Sequence, residues 1–341
     1  MKWTVVAAGP AKSRVLLGEQ APGVELLTPV YVPSFSSFGD PDHIRRSLAV
    51  LRSVKGAVPA SASGFLFSAH DLAASARRGG VLDSQLEDLL KEWSLWWLDN
   101  GAFEQSSFGI PSWAEREFEG VVRRFKPPVV VASEYVAENV TPDSLADSLR
   151  FAVESAERLK GLATSIVVLL RPYPGSDLRA LVQALDLPRI LDQGDTVDAL
   201  GVPEVSLGPT LDVRLSAVSR LRTELDRLAI PKGLHIFGAS DLSCLTAYTL
   251  AGADIFDGVN WSRYWMDVTS PSFRDRSLWS PPLGAEGYSP ENHDVHLAIH
   301  NIASVHGWMN SLRDLVLGRR DASADEQSII SRLNAVGSVG A

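Results

Sequence analysis

The chain has 341 residues, 45% of them hydrophobic and 21% charged, which is the composition of a folded globular protein and excludes disordered and fibrous classes. No run of about 18 apolar residues occurs, so no membrane-spanning helix is expected. The net charge of −9 counts mildly against a nucleic-acid partner, because duplex binders usually carry an excess of Lys and Arg, but it does not exclude one.

The N-terminus carries an apolar run too short for a secretory signal, so it reads as a first strand, Thr4–Ala8, and a cytoplasmic location is the default. Further strands are expected at Pro29–Pro33 and near Val54–Ala60. From about residue 90, short apolar runs alternate with amphipathic stretches. The runs are Trp93–Asp99, Val129–Glu134, Ser165–Arg171, Glu204–Gly208, Leu234–Gly238 and Asp254–Asp257. They are short, continuous and rich in β-branched or aromatic residues, as buried parallel strands are. Helical patterns separate them over 112–125, 141–160, 175–187, 210–229 and 240–252. Thr141 can cap one of these helices with Pro142 at its first position; Ser240 or Asp241 can cap another, with Gly252 at its end. Cys244 falls in that last helix, where a lone thiol packs as a small hydrophobe; being single, it rules out an internal disulfide and a multi-cysteine metal site.

Strands alternating with helices predict a parallel α/β sheet, and their number, close to eight, suits a closed (β/α)8 TIM barrel with N-terminal strand additions and a C-terminal helical extension. The predicted division is a catalytic barrel over 1–270, then a loop over 270–292 rich in Pro, Ser and Gly, a helix over 293–317 and one short final helix. The basic pairs Arg45–Arg46, Arg77–Arg78, Arg123–Arg124 and Arg319–Arg320 each read first as solvated helix faces.

In a barrel of this kind the active site lies at the C-terminal ends of the strands. Four of the runs end in an ionisable residue: Asp99, Glu134, Arg171 and Asp257. Carboxylates converging on one mouth suit glycosidic-bond cleavage. One stabilises or bonds to the anomeric carbon, and another protonates the leaving group. Enzymes acting on sugars and on nucleosides both use such a pair.

The ordered motifs narrow that choice. Asp99-Asn100-Gly101-Ala102-Phe103-Glu104 resembles the Asp-Ser-Gly-Gly-Phe-Gln segment of the tRNA-guanine transglycosylase superfamily. Val129–Glu134 resembles its base-recognising strand, and His235-Ile236-Phe237-Gly238 with Ala251–Val259 resembles the segment carrying its nucleophile. Thr28–Pro33 and Ala298–Asn301 resemble its N-terminal and C-terminal segments. The resemblance implies Asp257 as the nucleophile on C1′, Asp99 as the proton-handling group, Glu134, Arg171 and Gly208 around the base, and Arg263 shortly after the nucleophile. It also implies that a base is flipped out of its stack. Phe103, Tyr135, Trp261, Tyr264 and Trp265 are candidates to hold it, with core packing as the alternative. Trp93, Trp96 and Trp97 read as packing.

The departures are informative. The family's zinc site uses three cysteines and a histidine; here His300 stands without the cysteines, near His293 and His296, so neither metal nor cofactor is expected. Loss of that site points away from tRNA, and Glu134, Arg171 and Ala102 point to a base other than guanine. The chain therefore looks closer to DNA-acting members, the 7-deazaguanine DNA transglycosylases and the base-excising enzymes of phage defence. The expectation is a DNA glycosylase that leaves an abasic site. Base exchange with a free modified base, a small-molecule glycoside hydrolase and a non-catalytic binding protein stay open as alternatives, as does the oligomeric state.

Overall fold

The computed structural model describes residues 2–21, 24–35, 43–57, 64–78, 81–102, 115–133, 142–170, 197–229, 232–239, 241–281, 289 and 292–338. Eight parallel strands close into a barrel: β4 (Val30–Phe35), β5 (Leu66–Ser68), β6 (Trp97–Asp99), β7 (Val129–Val131), β8 (Ser165–Leu169), β9 (Ala199–Pro203), β10 (Gly233–Phe237) and β11 (Ile255–Gly258). They are neighbours in chain order, and β11 closes the ring on β4 with Asp257 opposite Val32. The described helices between them are α1 (His43–Ala57), α2 (Ala69–Arg78), α3 (Val81–Lys91), α4 (Glu115–Phe125), α5 (Pro142–Leu159), α6 (Leu211–Arg227) and α7 (Leu242–Ala251). The expected (β/α)8 barrel is thus present. The helix expected over 175–187 lies outside the described residues. Among the described residues no helix is long and apolar enough to cross a membrane.

Two of the expected strands lie elsewhere. The segment near Val54–Ala60 begins as the end of α1, where Leu48, Leu51 and Val54 recur at helical spacing and are buried together; the barrel strand is β5, further on. The run Glu204–Gly208 opens with a 3-10 turn at Glu204–Ser206, and Val205 is exposed. The strand is the preceding Ala199–Pro203, whose five residues are all buried.

The lumen is filled from below. β1 (Lys2–Ala8), β2 (Arg14–Ala21) and β3 (Val24–Leu27) form a separate antiparallel sheet. Its Trp3, Leu16 and Leu26 join Val30, Val32, Leu66, Trp97, Val129, Val131, Val167 and Ile255 in one apolar cluster. The first predicted strand therefore exists but belongs to this cap, and Trp3 donates its indole N–H to the Asp198 carbonyl at 2.7 Å. With that end plugged, the C-terminal end of the strands carries the mouth.

The bottom also holds a buried ion cluster. Asp254 is fully buried; its carboxylate accepts from Arg14 at 3.1 and 2.9 Å and from the Leu234 amide at 2.8 Å, with Arg222 3.5 Å away. Burial pushes the Arg222 guanidinium down to about 10, so it stays charged at neutral pH.

After the barrel come α8 (Asn260–Arg263), the hairpin β12 (Trp265–Asp267) and β13 (Ser272–Arg274), then α9 (His293–Val316) and α10 (Ala324–Ser338). Helix α9 packs on α1 and β4, and α10 packs on α7 and α6. Buried Asn301 on α9 donates to the carbonyls of Trp261 and Tyr264 and accepts from the Met266 amide. Arg313, one helical face further on, holds the carbonyls of Leu27, Thr28 and Pro29. Helix α9 thereby fixes both the entry to β4 and the exit from β11.

Removing Asp254 leaves two buried guanidiniums facing only a half-exposed carboxylate, Asp226, 3.7 Å from Arg14 and 3.0 Å from Arg222. Asp254→Ala is expected to lower unfolding free energy by about 3–5 kcal/mol, read by urea denaturation, without touching any group at the mouth.

Candidate active site

Strand alternation decides which side chains face the lumen. On β11, Ile255 belongs to the luminal cluster and Phe256 to the core outside the wall, so Asp257 faces inward. On β6, Trp97 is luminal, and Asp99 follows on the same face. Both aspartates stand at the C-terminal end of their strands. β6 and β10 lie on opposite sides of the ring, and the Trp97 and His235 rings meet across it edge-on, with centroids 5.4 Å apart. Asp99 lies one luminal position beyond Trp97, and Asp257 is bonded to His235. The two carboxylates therefore rise from one aromatic floor.

Asp257 is held tightly. Ser34 on β4 donates its hydroxyl to Oδ2 at 2.7 Å, while the Gly238 amide donates to Oδ1 at 3.1 Å. His235 Nε2 lies 3.0 Å from the same Oδ1. Gly238 adopts φ +79°, a left-handed turn that aims its N–H back at the carboxylate and that a side chain would strain. Asp99 is half-buried, and its Oδ2 accepts from the Gly101 amide at 3.0 Å. Asn100 secures that turn from outside, donating to the Ala132 carbonyl and accepting from the Ala102 amide, both at 2.7 Å.

The floor between them is aromatic. Phe237 stacks on His235 with centroids 3.8 Å apart and a 23° tilt. Gly201 on β9 makes room for it: a Cβ there would stand 2.4 Å from a Phe237 ring carbon. Ser68 on β5, in register with Asp99, is buried with no hydrogen-bond partner for its hydroxyl among the described residues.

The other expected site residues divide. Gly208 is buried after β9 at φ +135°, packed on Val213, with its carbonyl held by Arg214. Arg263 is exposed on α8. Trp261 is spent on packing: it is 3% exposed, lies against Phe35 and donates to the Ser34 carbonyl at 3.0 Å. That bond steadies the strand segment whose hydroxyl reaches Asp257. Trp265 is half-buried and donates toward His300, while Tyr264 is exposed against Phe273. Phe103, Glu134, Tyr135 and Arg171 lie outside the described residues.

No known family model matches the chain, and no curated protein matches it.

Among the described residues no group of three or more His, Cys, Asp or Glu side chains is placed to hold a metal ion. His300 lies against Trp279 and Trp265, and burial lowers its pKa. Two of the basic pairs are engaged with carboxylates: Arg123 and Arg124 with Glu119 and Glu87, Arg319 and Arg320 with Asp314 and Glu326. Cys244 is partly buried, and burial pushes its thiol up to about 12.

Sequence reasoning did not single out Ser34, His235 or Phe237 as site residues. Their shared signal is parity: each stands on the luminal face near the C-terminal end of its strand, as Asp257 and Asp99 do.

Gly201→Ala is expected to push Phe237 off His235, lowering stability by about 1–3 kcal/mol through overpacking. Gly307→Ala on α9, where a Cβ meets nothing within 4 Å, is expected to raise it by about 0.5–1 kcal/mol; thermal unfolding reads both. The raised Cys244 pKa predicts slow alkylation of the folded chain at pH 8 and fast alkylation once urea unfolds it.

Proposed function

We propose that the chain cleaves the N-glycosidic bond of a nucleobase in nucleic acid, with DNA favoured, through Asp257 as nucleophile and Asp99 as acid and base. The observation that carries this reading is the Asp257 carboxylate: buried at the C-terminal mouth of a barrel and surrounded by three polar partners, it is organised before any substrate arrives. The ordered motifs resembling the transglycosylase superfamily support the same residue in the same role.

The chemistry balances with these two groups and water. A carboxylate oxygen of Asp257 bonds to C1′ as the C1′–N bond breaks. The base leaves with the electron pair, and protonated Asp99 supplies its proton. Asp99, now a carboxylate, takes a proton from water as that water attacks C1′ and expels Asp257, leaving an abasic sugar. Glu134 and Arg171 are assigned to the base edge, with Gly208 beside it and Arg263, shortly after the nucleophile, to substrate binding, on the strength of the resemblance. Base exchange uses the same first half and replaces the water with a free base.

Mass spectrometry of bases released from plain and modified DNA and RNA tests the reading. Release with abasic sites, without any added base, is expected. Release only when a replacement base is supplied would assign exchange instead. Cleavage of aryl glycosides with no base release from any nucleic acid would overturn the reading in favour of a sugar hydrolase. Asp257→Asn is expected to abolish release while the unfolding midpoint holds, and Asp99→Asn to slow it about a hundredfold or more.

A further inference from the structure

We infer that His235 aims the nucleophile: it donates its Nε2–H to Asp257 Oδ1, fixing that oxygen beside the Gly238 amide and leaving Oδ2 as the atom that attacks C1′. This rests on Asp257 being the nucleophile, and it adds a positioning residue and an assignment of the two oxygens.

The direction of the bond follows from the surroundings. Gly238 has only an N–H to offer, so Oδ1 already acts as an acceptor. An unprotonated Nε2 at 3.0 Å would set lone pair against lone pair unless Asp257 were protonated, and a protonated carboxyl is a poor nucleophile. At the other end of the ring, Nδ1 is buried with no hydrogen-bond partner among the described residues, and the residue is fully buried. A doubly protonated ring would bury an N–H without an acceptor, which is costly. The neutral tautomer with hydrogen on Nε2 satisfies both ends best.

The ring is also held in place. Phe237 stacks on one face, the Trp97 edge closes another side, and Gly201 admits Phe237. The two donors to Oδ1 come from one rigid piece, β10 and the turn that follows it. Oδ2 has a different partner, the Ser34 hydroxyl, which can rotate. As Oδ2 bonds to C1′, Ser34 can turn away while Oδ1 becomes the ester carbonyl and keeps both N–H donors. When water breaks the ester, the hydroxyl can turn back to meet the charge returning to Oδ2.

The test has two arms. Nitrogen NMR of histidine-labelled protein, with His235→Gln used to assign the signal, is expected to show hydrogen on Nε2 and a bare Nδ1. In turnover, His235→Gln keeps an N–H donor within reach of Oδ1 and is expected to retain kcat within about tenfold. His235→Leu keeps bulk but no donor and is expected to lose about a hundredfold or more in kcat with KM little changed, the range seen when one oriented donor is removed. Hydrogen found on Nδ1 would overturn the inference, as would Leu and Gln variants equal in turnover. If His235→Leu fails to fold, the NMR result and the Gln variant still decide. A wild-type protein that cleaves no N-glycosidic bond would reject the nucleophile reading, whereas the NMR arm reads the hydrogen-bond direction independently.

Discussion

One buried carboxylate organises the mouth of the barrel. Asp257 stands in the lumen of a barrel whose lower part is apolar, where an unpartnered negative charge would be expensive. Three groups from two neighbouring strands surround it: Ser34 from β4, and His235 and Gly238 from β10 and its turn. Each is itself held. Trp261 ties the Ser34 backbone, Phe237 covers His235, and the left-handed turn at Gly238 sets the direction of its amide. Much of the packing around the mouth, including the glycine at 201 and the clamp from α9, serves to keep that carboxylate and its partners from relaxing.

Two residues separate Asp254 from Asp257 in sequence, and the barrel gives the pair opposite tasks. Asp254, just before β11, faces the capped end and is neutralised by two arginines. Asp257, near the end of β11, faces the mouth and is met by a hydroxyl, an amide and an imidazole. A carboxylate locked between guanidiniums is stabilised as an anion and poorly nucleophilic; one held by weaker donors keeps its reactivity. The same strand thus carries a structural carboxylate at one end and a candidate reactive one at the other, as the division of labour between the two faces of such barrels requires.

The barrel was legible because parallel strands buried on both faces read as continuous apolar runs, and six of the eight announced themselves in this way or nearly so. β5 was missed because it is three residues long and follows a helix whose Leu48, Leu51 and Val54 are as apolar as a strand. β9 was displaced by one turn, since its ALGVP segment is weak in β-branched residues while the EVSLG that follows, whose Val205 is exposed, looks similar. At the site, the carboxylates were visible because charge ending an apolar run is conspicuous. Ser34 and His235 were not, because a small hydroxyl and a histidine inside apolar strands look like tolerated core residues until the closed sheet turns them toward Asp257. Trp261 was legible as a large aromatic near the nucleophile, but its burial depends on contacts with Phe35 and α9 that no local pattern displays.

The most direct measurement is a denaturing quench of the protein during turnover of whichever nucleic acid yields free base, followed by intact-mass analysis and peptide mapping. The account predicts a transient covalent species in which the sugar is joined to the peptide containing Asp257. Steady base release with no adduct at any quench time, or an adduct mapping to another residue, would contradict it.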